Sequence, residues 1–121
     1  DGAVDAIVFG VYFNAGECCN SGSRIIVHED VAEEVTARVV ALSRKVAFGD
    51  PLNEATKVGA IVSPEHQAKI DGYVKGAVAA GATVRLGGAA LDVPGLGGQY
   101  IGDVIRQKPG GHGGQRLSRG C

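Results

Sequence analysis

Two adjacent cysteines, Cys18 and Cys19, lie in the run Tyr12-Phe13-Asn14-Ala15-Gly16-Glu17-Cys18-Cys19-Asn20-Ser21-Gly22-Ser23-Arg24. A thiol at a glycine-flanked turn can be approached closely by a ligand. Turn N–H groups can lower its pKa or hold a developing oxyanion, so covalent chemistry is the first function to test at this run. Other cysteine chemistries fit less well. The cysteines number three, an odd count, and a bond between neighbours closes a strained eight-membered ring, which argues against a disulfide framework. Zinc needs ligands at spacings such as C-x2-C, and His28, His66 and His112 are scattered, so no metal site is expected. A cysteine hydrolase pairing Cys19 with His28 or His66 lacks a recognisable orienting triad. What remains is a free thiol in a reducing compartment, acting either as a nucleophile or as a small buried hydrophobe.

The elements around the pair would have to present it. Val4, Ile7, Val8, Val11 and Tyr12 recur at three- and four-residue steps, which predicts a helix from about Ala3 to Phe13 with one buried face. Asn14, Gly16 and Gly22 interrupt that pattern, and the β-branched segment Arg24–His28 reads as a strand. Asp30 with Glu33 suggests a capping pair for a second helix whose stripe is Val31, Val35, Val39, Leu42 and Val46, ending before Gly49-Asp50-Pro51. Ser63 can cap a third helix starting at Pro64, with Ile70, Val74, Ala77 and Val78 inward and Gly81 as its stop. Thr83–Leu86 reads as a further strand before Gly87-Gly88.

Strands separated by helices predict an α/β layer with short parallel strands covered by helices. Two such strands make a small sheet with open edges, as in part of a larger domain. Residues 1–102 are read as this incomplete domain. Within it, Pro94, Gly95, Gly97 and Gly98 mark a loop, and Gln99-Tyr100-Ile101 begins an extended segment. Residues 103–121 carry Gly110, Gly111, Gly113, Gly114 and Gly120 with few apolar side chains, so an irregular, disordered tail is expected there. A phosphate-cradling role for these glycines would need a strand before and a helix after them, and neither is evident.

Charge and composition narrow the function classes. Hydrophobic residues make up 45% and charged residues 21% of the 121-residue chain, the balance of a globular domain rather than a disordered one. The formal net charge of −1, and the absence of aromatics between Arg106, Lys108, Arg116 and Arg119, argue against a nucleic-acid partner. No apolar run approaches the ~18 residues of a membrane span, and Asp1-Gly2-Ala3-Val4-Asp5 lacks a basic leader, so neither a membrane partner nor secretion is expected. The reading is a cytosolic protein.

The segment from Phe13 to Arg24 resembles the active-site motif of the aldehyde dehydrogenase superfamily, close to F-x-N-x-G-[QE]-x-C-x-[AS]-x-[ST]-R. The similarity continues through Val27-His28-Glu29-Asp30-Val31, Gly49-Asp50-Pro51-Leu52, Gly59-Ala60-Ile61-Val62 and the stretch from Ala80-Gly81-Ala82 to Gly87-Gly88, covering roughly residues 1 to 102. On that match Cys19, not Cys18, takes the catalytic position.

The resemblance implies a partial catalytic domain of that fold and oxidation of a small-molecule aldehyde to a carboxylic acid. The Cys19 thiolate would form a thiohemiacetal, hydride would pass to NAD or NADP, and a glutamate-activated water would hydrolyse the thioester. The oxyanion would be held by the cysteine's own N–H and an asparagine side chain. Homo-oligomers are the family's usual state.

Three departures bear on this chain. No E-L-G-G-type motif carrying the base glutamate is present, and Glu17 matches a different motif position. The nucleotide-binding domain with its glycine-rich turn is not among these residues. After Ile101 the family would continue with a proline-threonine strand and E-E-x-F-G-P, whereas residues 103–121 resemble neither, as a shifted reading frame would produce. The chain alone is therefore expected to be inactive, and a truncated, non-catalytic remnant is the alternative reading.

Overall fold

A computed structural model describes residues 2–93 and the strands at 100–101, 105–108 and 114–118. Helix α1 (Gly2–Tyr12) buries Val4, Val8 and Tyr12, the stripe its spacing predicts, and passes into a 3-10 turn at Phe13–Gly16. Strand β1 (Arg24–His28) then runs directly into helix α2 (Glu29–Ser43). The cap of α2 is not Asp30. The His28 ring accepts from the Asp30 N–H at 3.3 Å, because the strand ends at His28 and leaves Glu29 and Asp30 in the first helical turn.

Of the expected stripe on α2, Val39 is buried and Val35, Leu42 and Val46 pack against the core, so Val31 alone departs from it. Ala32, Thr36, Val39 and Ser43 point inward, and Val31 is exposed. Small residues on this face let α1 pack against α2. Thr36 satisfies its hydroxyl locally by donating to the Ala32 carbonyl at 2.6 Å. Val4, Val8, Tyr12, Val27, Ala32, Val39 and Val58 close the main core, with Ile25 and Leu86 packed against it.

Helix α3 (Pro64–Ala79) starts as its sequence predicts. Ser63 Oγ accepts from the His66 N–H at 3.2 Å, and Pro64 sits in the first turn. The backbone N–H of Glu65 and then the Ser63 hydroxyl hold the Glu65 carboxyl below the usual carboxylate range. At the far end Gly81 adopts φ 87°, its N–H donates to Val78 and the Ala82 N–H to Ala77, both at 2.9 Å. This paired closure requires a left-handed residue at Gly81. Val74 is the buried apolar residue of α3, packed with Ile61, Ile70 and Val84, while Val78 is exposed.

Strand β2 (Thr83–Leu86) lies in one sheet with β1, but not beside it. Strands β5 (Ile105–Lys108) and β6 (Gly114–Ser118) stand between them in the order β1-β6-β5-β2, and each neighbouring pair is antiparallel. Strands β3 (Ala90–Leu91) and β4 (Tyr100–Ile101) form a second, antiparallel pair.

The chain is thus α/β, with the expected parallel pairing replaced by antiparallel ladders. The physical reason lies in the connections. A parallel pair needs a long crossover, whereas the short link between β5 and β6 favours an antiparallel pair that supplies partners to both open edges. The tail expected to be irregular therefore contributes two strands. The loop at Pro94–Gly98 and the glycines at 110, 111, 113 and 120 lie outside the described residues.

Candidate active site

The cysteine turn is built where α1 stops. Asn14 (φ 50°, ψ 45°), Ala15 (φ 57°, ψ 18°) and Gly16 (φ 75°) are successively left-handed, which turns the chain away from the helix axis. Glycine adopts this region freely and asparagine tolerates it, but the Cβ of Ala15 is crowded there. The Glu17 N–H donates to the Asn14 carbonyl at 3.1 Å, closing the reversal.

A second turn follows at once. The Ser21 N–H donates to the Cys18 carbonyl at 3.0 Å, so Cys19 and Asn20 occupy its two central positions. Two bonds fasten the end of this turn to α1: Ser21 Oγ at 3.0 Å and the Gly22 N–H at 3.2 Å both donate to the Gly10 carbonyl. Gly10 is in the last turn of α1, where carbonyls lack partners within the helix.

This geometry separates the two thiols. Cys19 is exposed at the crest and Cys18 is half-buried beneath it. Among the described residues the Cys19 N–H donates to no carbonyl and its thiol has no hydrogen-bond partner. A free N–H on the residue that carries an exposed thiol is the arrangement that lets one residue attack a carbonyl and hold the negative charge that develops on its oxygen.

The surroundings add further side chains. Phe9 and Phe13, on the last turns before the reversal, stack with ring centroids 5.2 Å apart and are 68% and 56% exposed, which leaves an open apolar surface beside the site. Glu17 Oε1 lies 3.9 Å from His66 Nε2 on α3, a contact no sequence motif indicated. His28 is committed to the start of α2, where its Nδ1 also lies 3.4 Å from Asp30 Oδ2. Among the described residues no hydrogen bond joins Cys19 to either histidine, and Arg24 is exposed without an ion pair.

Among the described residues no nucleotide site is built. A nucleotide's phosphates would need a glycine turn between a strand and a helix N-terminus, whereas β1 enters α2 without a glycine and places Glu29 and Asp30 in the first helical turn. A cavity of about 400 Å³ lies between α1 and α2, lined by Val4, Asp5, Arg38, Ala41, Leu42 and Lys45, and shares no residue with the cysteine turn. Among the described residues no group of three His, Cys, Asp or Glu side chains could hold a metal ion, and no helix is long and apolar enough to cross a membrane.

Comparison with known proteins places this geometry in context. The profile of the aldehyde dehydrogenase family matches residues 1–108, which includes β5 and stops before β6. The betaine aldehyde dehydrogenase of Brucella ovis is 35% identical over 96 residues, which are 79% of this chain and 20% of that protein. An NAD-dependent aldehyde dehydrogenase from Sinorhizobium meliloti superposes with a TM-score of 0.78 at 45% identity, covering 86% of this chain and 20% of its own. The betaine aldehyde dehydrogenase of Staphylococcus aureus, solved with NAD+, gives 0.81 at 32% identity, over 86% and 21%. The chain thus spans about a fifth of the length of these relatives.

Proposed function

The chain belongs to the aldehyde dehydrogenase family, and from that premise we propose that it carries the nucleophile of an aldehyde-oxidising site, with Cys19 as the catalytic residue. The observation that supports this most directly is the exposed Cys19 thiol on a turn whose own N–H is free among the described residues. The Cys19 thiolate adds to the aldehyde carbon, forming a C–S bond while the carbonyl π pair moves to oxygen, where the Cys19 N–H stabilises it. Oxidation then gives a thioester on Cys19, and water releases the carboxylic acid and the thiol.

A nicotinamide cofactor, when bound, would supply the hydride acceptor this oxidation requires; the relatives with which this chain superposes are NAD-dependent or were solved with NAD+, and the described residues hold no site for it. The water-activating base is likewise outside the motifs of these 121 residues. The chain therefore provides the covalent half of the reaction. Betaine aldehyde is the first substrate to try, since several relatives are named for it.

A chimera tests the proposal. Residues 1–101 replace the matching segment of the Sinorhizobium meliloti enzyme, and NADH formation is followed with betaine aldehyde and simple aliphatic aldehydes. The chimera is expected to turn over, Cys19→Ser to lower kcat on the order of 10³-fold or more, and Cys18→Ser to keep most of the rate. A folded, NAD+-binding chimera without turnover, or one indifferent to Cys19→Ser, would refute it.

A further inference from the structure

We propose that His66 is a positioning residue for the cysteine turn, acting through Glu17; the inference rests on the reading of Cys19 as the nucleophile. The left-handed run at Asn14–Gly16 includes Ala15, whose conformation persists only where its surroundings hold it. The hydrogen bonds that close the reversal run within the segment from α1 to β1: Glu17 to Asn14, Ser21 to Cys18, and Ser21 and Gly22 to Gly10. The contact between Glu17 and His66 is of another kind. It reaches the turn from the first turn of α3, which belongs to the smaller apolar cluster around Val74 rather than to the core under α1.

The two ends of this contact are anchored. His66 is fixed at the start of α3 because its N–H donates to Ser63 Oγ. Glu17 is fixed at the close of the reversal because its N–H donates to Asn14, and it stands two residues before Cys19. A tie between these points limits how far the Cys18–Ser21 turn can rotate about the Gly10 bonds. It thereby keeps Cys19 outward and Cys18 inward. His66 touches neither the thiol nor the reacting carbonyl, so its effect is on orientation alone. The pair is partly exposed, with 36% of the His66 and 56% of the Glu17 side chain accessible, so the expected coupling is no larger than that of an exposed polar pair.

The test uses the full 121-residue chain carrying Cys121→Ser, with limiting iodoacetamide and mass-spectrometric sequencing to give the ratio of Cys19 to Cys18 alkylation. Glu17→Ala and His66→Ala are each expected to lower this ratio about two- to five-fold, the rate equivalent of an exposed polar contact, and the double variant to lower it no further than either single one. His66→Gln, whose side-chain amide keeps a polar N–H facing the Glu17 carboxylate, is expected to restore the ratio.

Melting temperature separates orientation from plain stability. A loss of helix stability alone would lower it and leave the ratio unchanged, and that result overturns the proposal, as do additive effects in the double variant. The alkylation ratio does not depend on turnover. If Cys19→Ser leaves a chimera active while the coupling persists, the nucleophile assignment fails and the positioning contact stands; the reverse outcome rejects only the contact.

Discussion

Ala15 concentrates the cost of the cysteine turn in one residue. Its φ of 57° and ψ of 18° place an L-side chain in the left-handed region, at roughly 1–2 kcal/mol relative to right-handed backbone. Glycine would remove that crowding but enlarge the conformational freedom of the unfolded chain, which returns roughly 0.4–1 kcal/mol. Ala15 also packs against the main core, so its methyl group carries some stabilisation of its own. The net expectation for Ala15→Gly is a gain of about 0.5 kcal/mol, measured by urea unfolding. A loss of stability would mean that the packing of the methyl group outweighs the strain. Of this geometry, the sequence discloses that Asn14 and Gly16 break a helix; it does not disclose that Ala15 joins them, because alanine by itself favours the helix.

At the scale of elements, the hairpin-like pair β5 and β6 joins what the rest of the chain leaves apart. Strand β6 pairs with β1 from His28 opposite Gly114 to Arg24 opposite Ser118, and β5 pairs with β2 from Thr83 opposite Gln107 to Leu86 opposite Ile105. Without these strands, the inner edges of β1 and β2 expose rows of unpaired N–H and C=O groups. A chain ending at residue 102 is therefore expected to lose the cooperative unfolding transition of the 121-residue chain and to associate in solution. Circular dichroism melting and light scattering would reveal both effects. An unchanged melting transition would mean that the helices and their cores hold β1 and β2 without this bridge. Helix α3 is the weaker attachment. Its cluster has Val74 as its buried apolar residue, against the several that converge under α1 and α2, so it should open first in hydrogen exchange.

At the scale of the molecule, the proposed nucleophile Cys19 stands on its turn with no nucleotide-cradling glycine turn among the described residues. β1 passes to α2 through acidic residues rather than a glycine turn, and the cavity between α1 and α2 stands apart from Cys19. The 121-residue chain assayed alone with betaine aldehyde and NAD+ is accordingly expected to form no NADH above a no-protein control. Measurable turnover lost in Cys19→Ser would show that the chain assembles a cofactor site from its own residues or from a second copy. The sequence by itself determined the family, the turn within the Phe13–Arg24 run, the three helices and the strands at Arg24–His28 and Thr83–Leu86, because periodicity, caps and a dense motif are local signals. Tertiary structure alone decided the burial of Ala32, Thr36 and Ser43 on α2, the antiparallel order of the sheet, and the approach of His66 to Glu17. Each depends on contacts between distant segments: small side chains face inward where α1 lies close, open strand edges take the nearest available partners, and two polar side chains meet only where their backbones have already been brought together.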